Sequence, residues 1–329
     1  MPIDWQPFVD LVRKHDRFLL TTHVRPDGDG LGSILALGEV LEQQGKQVKL
    51  AVASSVPYRY AFLDPEGKIG RFQAPGDAWQ DAQAILVLDT GTWNQLGDFG
   101  AFLRCHPGPR AVIDHHLTQD DLGAIRLVDT TAEATGRLAF EAIHALGGQL
   151  TPRAAAALFT ALAMDTGWFR HSNTTPATFA LAGELVKAGA KPEILYDLLF
   201  EQTTLPRLKL MGLILGRMQV EAGGRLAHTE IHKADYPATG ATPQDSEDLI
   251  NFTRSLKGVE VGLLFMEQLE KGVKVSFRSR AKVDVAKLAG QFGGGGHRLA
   301  SGATVEGPLE EVRRKVLDAA VAALNPFAQ

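Results

Sequence analysis

The amino-acid sequence predicts a two-domain α/β protein whose larger, N-terminal domain is built on a parallel sheet. Three observations lead there. Short apolar runs over 18–22, 84–88 and 111–113 each lead into polar residues, the pattern of buried strands that present chemistry at their tips. Helical segments alternate with such runs as far as residue 188, and this alternation builds βαβ units. Past residue 218 the pattern changes to paired runs joined at Gly223-Gly224 and Lys271-Gly272, the hairpin turns of a smaller mixed α/β domain.

Taken in order, the first strand (18–22) leads into His23-Val24-Arg25-Pro26-Asp27-Gly28-Asp29-Gly30. Pro26 and the glycines break regular structure there before a helix over 31–44 that Gly45 stops. Strands follow at 47–52, 84–88, 111–113 and 125–128. A helix over 132–146 takes Thr131-Ala132-Glu133 as its capping signal and ends at Gly147-Gly148, and two more cover 153–164 and 176–188. This first domain (1–188) is followed by a helical linker over 189–218, broken near Thr203-Thr204. In the second domain (219–329), hairpins occupy 219–232 and 259–279, and helices follow at 284–291 and 308–324.

Each apolar element of the first domain terminates in groups that bind cations. His23, Asp27 and Asp29 share one loop, Asp89 closes the strand 84–88, Asp114-His115-His116 closes the strand 111–113, and Asp165 ends the helix 153–164. Any one such aspartate is explained as well by a cap or a turn. Together they gather where open α/β sheets hold ligands, at the carboxyl edge of the strands. Imidazole and carboxylate without thiolate suit Mn²⁺, and also Mg²⁺ or Co²⁺. Cys105 is the sole cysteine, so neither an intrachain disulfide nor a thiolate zinc site is possible, and no role is given to it.

The chain has 329 residues and a net charge of −4, which argues against a protein that coats long duplex nucleic acid. A short anionic substrate remains compatible, because bound cations would cancel the acidic charge of the site. No apolar run is long enough to span a membrane and the N-terminus lacks a secretory pattern, so a cytoplasmic location away from membranes is expected.

On these residues the chain resembles the DHH phosphoesterase superfamily. The motifs appear in order as His23-x-x-x-Asp27-x-Asp29, Asp89, Asp114-His115-His116 and Asp165. Phe292-Gly293-Gly294-Gly295-Gly296-His297 with Ser301-Gly302 is similar to the signature of the associated DHHA1 domain. The resemblance covers nearly the whole chain, and length and plan are most similar to the nanoRNase and pAp-phosphatase branch. It implies two divalent ions, one held by His23, Asp27 and Asp89, the other by Asp29, Asp89, His115 and Asp165, with Asp89 bridging. It also implies that His116 faces the phosphoryl group, as a donor to a non-bridging oxygen or as an acid near the leaving oxygen. Asp114 completes the catalytic pair as a carboxylate that orients an imidazole, unless it is merely a turn former.

In the second domain a glycine run alone suits a linker or a turn. Its place after a helix and before a strand favours a backbone cradle for an anion, formed by Gly294, Gly295, Gly296 and His297. Alternation along Ser276 to Arg280 sets Arg278 and Arg280 on one face, where they grip phosphate or line a solvated strand. Arg298 stands where relatives often carry a small residue or proline, and Arg170 and His171 follow Asp165 closely enough to reach the site or to pack beside it.

The expected function is hydrolysis of very short single-stranded RNA or DNA and of mononucleotide bisphosphates such as 3′-phosphoadenosine 5′-phosphate (pAp), with one domain supplying the metals and the other clamping the nucleotide across a cleft. A phosphodiesterase for cyclic di-AMP or linear pApA is the neighbouring alternative. An inorganic pyrophosphatase fits less well, given the glycine-rich domain. A catalytically silent nucleotide-binding regulator would tolerate lost ligands, whereas every motif position here is chemically competent. A homodimer is compatible with this plan, although the sequence carries no interface signal.

Overall fold

Six strands form the sheet of the N-terminal unit: β1 (Arg17–Thr21), β2 (Gln47–Val52), β3 (Ile69–Arg71), β4 (Ala84–Leu88), β5 (Arg110–Asp114) and β6 (Ile125–Val128). All are parallel, in the order β3-β2-β1-β4-β5-β6. The order reverses between β1 and β4, so the loops leaving these two strands diverge and open a crevice at their carboxyl ends. His23 to Asp29 leave β1 at that crevice, and Asp89 leaves β4. In this computed structural model residues 3–74 and 77–325 are described.

Both faces of the sheet are covered, which is why its central strands are apolar without interruption. One face packs Leu20, Leu86 and Ile113 against α2 (Gly28–Gln43). The other packs Leu19, Ile85, Val87 and Val112 against Phe99 and Leu103 of α3 (Asp98–Cys105). The N-terminal helix α1 (Gln6–Lys14) buries Phe8, Leu11 and Val12 in the first of these cores. Over α2 lie α4 (Thr135–Ala145) and α5 (Pro152–Asp165), followed by α6 (Pro176–Lys187) and α7 (Pro192–Tyr196), which continues as a π-turn through Glu201. A Cβ on Gly32 would lie 2.2 Å from the carbonyl oxygen of Ala157, so glycine is what allows α2 to touch α5.

Two starts differ from the sequence expectation. Helix α2 begins at Gly28, with the Asp27 carboxylate accepting from the amides of Asp29 (3.0 Å) and Gly30 (3.2 Å) as its cap. Asp29 therefore stands in the first helical turn. Helix α4 begins only at Thr135, and its cap residue Ala134 makes no side-chain hydrogen bond. The hydroxyl of Thr131, expected to cap this helix, instead donates to Asp129 Oδ1 at 2.7 Å. The first amides of α4 have another partner, described below.

The chain divides into two compact units, Met1–Gln202 and Thr203–Gln329. Residues 189–218 are shared between them: Ala190, Leu195 and Leu199 join the first core, while Leu210 and Ile214 of α8 (Leu205–Gly216) join a core of the second. The second unit carries a mixed sheet of β7 (Gln219–Glu221), β8 (Leu226–Ile231), β9 (Val261–Glu267), β10 (Val273–Ser279), β11 (Gly295–His297) and β12 (Ala300–Val305). Their order is β11-β12-β10-β9-β8-β7, antiparallel except for β8 with β9. One face packs Leu263, Phe265, Val275 and Phe277 on α9 (Leu309–Leu324), and the other packs Leu264 and Met266 on α8.

Part of the glycine run is paired strand and not an open loop, with Gly296 opposite Ser301 and His297 opposite Ala300. Gly294 and Gly296 lie so close to β12 that a Cβ would meet Gly302 O at 2.3 Å and Ala300 O at 2.8 Å. Those glycines serve the hairpin first. Among the described residues no helix is long and apolar enough to cross a membrane.

Candidate metal centre

The crevice between β1 and β4 gathers side chains from four places in the chain into three groups of three: His23, Asp27 and Asp89; Asp29, His115 and Asp165; and Asp89, His115 and His116, which shares a member with each of the others. Within each group the ligating atoms lie within 4.8 Å of one another. His23 Nε2 stands 3.3 Å from Asp89 Oδ2 and 3.6 Å from Asp27 Oδ1. His115 Nε2 stands 3.7 Å from Asp89 Oδ1, 3.7 Å from Asp165 Oδ2 and 3.8 Å from Asp29 Oδ2. Asp89 thus turns one oxygen toward each imidazole.

Both imidazoles are held by their far nitrogen. Nδ1 of His23 donates to Val24 O at 2.9 Å and Nδ1 of His115 donates to Ala132 O at 3.1 Å, tautomers set by these carbonyl acceptors. The Nε2 atoms are left to face the carboxylates, the usual support of a metal-ligating histidine. Asp89 follows β4 with a left-handed backbone, φ 63°, which costs roughly 1–2 kcal/mol for a non-glycine residue. Its amide still donates to Ile113 O at 3.0 Å, so the β4–β5 ladder holds it in that conformation.

The donors fit divalent cations by their chemistry as well as their spacing. Burial, reinforced by the charges of Asp89, Asp165 and Asp27, drives the Asp29 carboxyl well above its ordinary pKa. Burial also lifts Asp165 to about 6, with Asp89 and Asp27 adding to the effect against the opposing pull of His115. His23 goes up to about 11: burial opposes this, but its hydrogen bonds to Asp27 and Asp89 prevail. Carboxylates that repel one another this strongly, drawn around imidazole nitrogens, are a site whose charge a hard or borderline cation neutralises.

His116 stands differently from its neighbour. Its side chain is 55% exposed, and Nδ1 lies 2.7 Å from Asp114 Oδ1. Asp114 is fully buried and also accepts from the amides of His115 (2.9 Å) and His116 (3.2 Å) and from the Gln119 carboxamide. It orients the exposed imidazole of His116 and not the ring of His115. The hydrogen bond to Asp114 lifts His116 to about 9, against the effect of burial.

Three contributors carry no signal in the sequence. The amides of Thr135 and Gly136 donate to Asp29 Oδ2 (2.7 Å) and Oδ1 (2.8 Å), and the Thr135 hydroxyl donates to Asp89 Oδ1 (2.9 Å). Gln119 is the third. Only the misplaced start of α4 concealed the first two, since helix N-termini are natural partners of carboxylates. Beyond Asp165, Trp168 packs edge-on against Phe159, Tyr196 and Phe200, which anchors the turn after Asp165. Arg170 folds back onto Gly167 O, and His171 is exposed with Nδ1 3.4 Å from Asp165 O.

The phosphate-binding candidates of the second unit lie on β10, on β11 and on the turns beside them. Arg278 is half-buried on β10, and burial lowers its pKa. Arg280 follows the strand and donates from Nε to Val259 O (3.0 Å) and from Nη2 to Arg254 O (2.6 Å). Gly294 adjoins edge strand β11, which holds Gly295, Gly296 and the exposed His297. Arg298 donates to Ala281 O at 2.9 Å, a contact within the unit.

Residues 17–164 match the family model of the DHH family, N-terminal domain, and residues 224–326 match that of the DHHA1 domain. The bifunctional oligoribonuclease and PAP phosphatase NrnA of Thermus thermophilus is 32% identical over 302 residues, 91% of this chain and 88% of that protein. The Bacillus subtilis protein of the same name is 28% identical, over 88% of this chain and 90% of its own. The crystal structure of an exopolyphosphatase-related protein from Bacteroides fragilis aligns with TM-score 0.91 at 27% identity, covering 98% of this chain and 96% of that one. Thermus thermophilus RecJ, solved in complex with Mn²⁺, shares the fold at TM-score 0.55 and 14% identity, covering all of this chain and 56% of RecJ.

Proposed function

The chain belongs to the DHH family, a DHH domain followed by a DHHA1 domain, and from that membership we propose that it hydrolyses short oligoribonucleotides and pAp. Membership makes it a phosphoester hydrolase of a metal-dependent family. One observation carries the substrate reading. His23, Asp27, Asp29, Asp89, His115 and Asp165 converge on one crevice in a chain 32% identical, over 91% of its length, to an enzyme named for both activities.

The reading includes two ions per chain, with Mn²⁺ preferred and Mg²⁺ or Co²⁺ as substitutes. His23, Asp27 and Asp89 would hold one, and Asp29, Asp89, His115 and Asp165 the other. Cations in these positions supply charge for the phosphoryl oxygens and an acidified water. The chain's own groups do the rest. His116, with Nδ1 engaged by Asp114, presents Nε2 as a proton donor to the phosphoryl or leaving oxygen. Arg278, Arg280, Gly294, Gly295, Gly296 and His297 are assigned to the nucleotide and its phosphates. A cytoplasmic location belongs to the same reading, since RNA fragments of this length arise there.

The test is hydrolysis of pAp, pApA, cyclic di-AMP and an RNA ladder from the dinucleotide to about twenty nucleotides, with Mn²⁺ and with Mg²⁺. Turnover of pAp and of the shortest RNA, with cyclic di-AMP largely intact, is expected. Preferred cleavage of cyclic di-AMP, or no cleavage of RNA and pAp, would overturn it.

A further inference from the structure

Thr135 occupies the first position of α4 and is completely buried. The cap residue before it, Ala134, has no side chain that could serve the first-turn amides. The Thr135 hydroxyl donates away from the helix, to Asp89 Oδ1 at 2.9 Å, while the amides of Thr135 and Gly136 serve the two oxygens of Asp29. The start of one helix thus grips carboxylates delivered by two other segments, the first turn of α2 and the end of β4.

Asp89 has the greater need of this grip. Its oxygens have different tasks, Oδ2 lying 3.3 Å from His23 Nε2 and Oδ1 3.7 Å from His115 Nε2. The terminal torsion of an aspartate is broad and nearly two-fold, so the side chain's own preferences do not hold the carboxylate in one setting. A donor fixed on Oδ1 alone does. The threonine cannot drift, because its amide is bound to Asp29 and a Cβ on the next residue, Gly136, would sit 2.6 Å from the Ala161 Cβ, showing how closely α4 is set against α5.

We infer that Thr135 is a positioning residue that locks the Asp89 carboxylate, offering one oxygen to the His23 group and the other to the His115 group, so that the two cation positions fill together. This rests on the metal reading above. Because the backbone amides at Thr135 and Gly136 survive any side-chain change, substitutions at Thr135 isolate the hydroxyl. The rival account is that the hydroxyl is only a satisfied polar group in a packed core, in which case shape and burial would matter and Asp89 would not respond.

The experiment is Mn²⁺ titration of metal-stripped wild type, Thr135→Val and Thr135→Ser by calorimetry, with electron paramagnetic resonance to distinguish isolated from exchange-coupled Mn²⁺. Thermal melts of the metal-free proteins check that each is folded. Wild type should take up two ions and show a coupled pair. Thr135→Val should keep one ion near wild-type affinity, bind the second about 10- to 100-fold more weakly and show isolated Mn²⁺ at one equivalent, while Thr135→Ser restores the coupled signal. If wild type binds no Mn²⁺, it is the metal reading that falls, and this inference with it. If wild type binds two and the valine variant does the same with equal affinity and coupling, the metal reading stands and the positioning role is refuted. A valine variant unfolded without metal would show the hydroxyl to be a folding contact, which also refutes it.

Discussion

Asp114 and His116 form a buried-to-exposed pair: the carboxylate is fully buried, the imidazole half-exposed, and Oδ1 meets Nδ1 at 2.7 Å. The arrangement fixes the ring's direction, and in our proposal Nε2 is the working nitrogen. Asp114→Asn would set an amide group among the N–H donors of His115, His116 and Gln119. We expect turnover to fall about 100-fold or more with Mn²⁺ stoichiometry unchanged. His116→Ala should show the same pattern, a loss in kcat and not in bound metal. Activity restored in either variant by raising Mn²⁺ would make His116 a ligand.

Asp89→Asn is the cleaner test of the bridging carboxylate than Asp89→Ala, because the backbone there has φ 63° and asparagine tolerates that region best after glycine. Turnover of every substrate should fall by about a thousand-fold or more, the range seen when charge stabilisation is removed. The metal-free protein should melt near the wild-type temperature. Asp89→Ala should lose activity equally and melt lower, since alanine adds backbone strain. Two Mn²⁺ per chain with near-normal turnover in the asparagine variant would remove Asp89 from the centre.

Gly32→Ala should destabilise the first unit. Its new methyl would meet a backbone carbonyl, that of Ala157, at 2.2 Å, and a carbonyl in a helix cannot swing aside as a side chain can. We expect a loss of about 1–3 kcal/mol in a denaturant melt, the usual cost of overpacking. An unchanged midpoint would mean that α2 and α5 slide freely past each other.

Glu260 gives the second unit an acid-sensitive contact. Its carboxylate accepts from the Ser279 hydroxyl and the amides of Ala281, Lys282 and Val283. Burial works against the anion, but these hydrogen bonds prevail and hold its pKa below the ordinary 4.5. A depressed folded-state pKa stabilises fully above the unfolded value and loses its contribution as pH falls through the folded value. Wild type should therefore melt above Glu260→Gln at neutral pH, and the gap should narrow as the pH falls below the ordinary 4.5. A gap constant over that window would show that the charge is irrelevant.

Arg278→Ala and His297→Ala should raise KM for short RNA while sparing bis-p-nitrophenyl phosphate, which offers no nucleotide to hold. Arg280→Ala should add a lower melting temperature, because its guanidinium also ties down the carbonyls of Arg254 and Val259. Equal losses on both substrates in the first two variants would exclude them from nucleotide binding.

Much of this was legible because chemistry and secondary structure coincide at strand ends. The runs leading to His23, Asp89 and Asp114 are short, apolar and bounded by glycine or proline, so both element and tip could be read. Strand β3 could not, because Ile69-Gly70-Arg71 is too short for any periodicity. Helix α3 carries a glycine and two aromatics, which weaken a helical pattern. Thr135 stayed hidden because the helix start was expected at residue 132, and because its hydroxyl serves Asp89, 46 positions away, whose need for a donor exists only after folding. Gln119, five positions after Asp114, carries no pattern that singles it out.

Parallel strands are never joined by tight turns, and here they spread the candidate ligands along the chain from His23 to Asp165. A polypeptide emerging from the ribosome carries His23, Asp27 and Asp29 long before α4 exists to receive Asp29, and Asp165 comes later still. Such distant contacts form late, once the loops between them have closed. A nascent or truncated chain that lacks α4 or Asp165 therefore holds only part of this group of side chains. The whole group comes together only with the completed sheet and its covering helices.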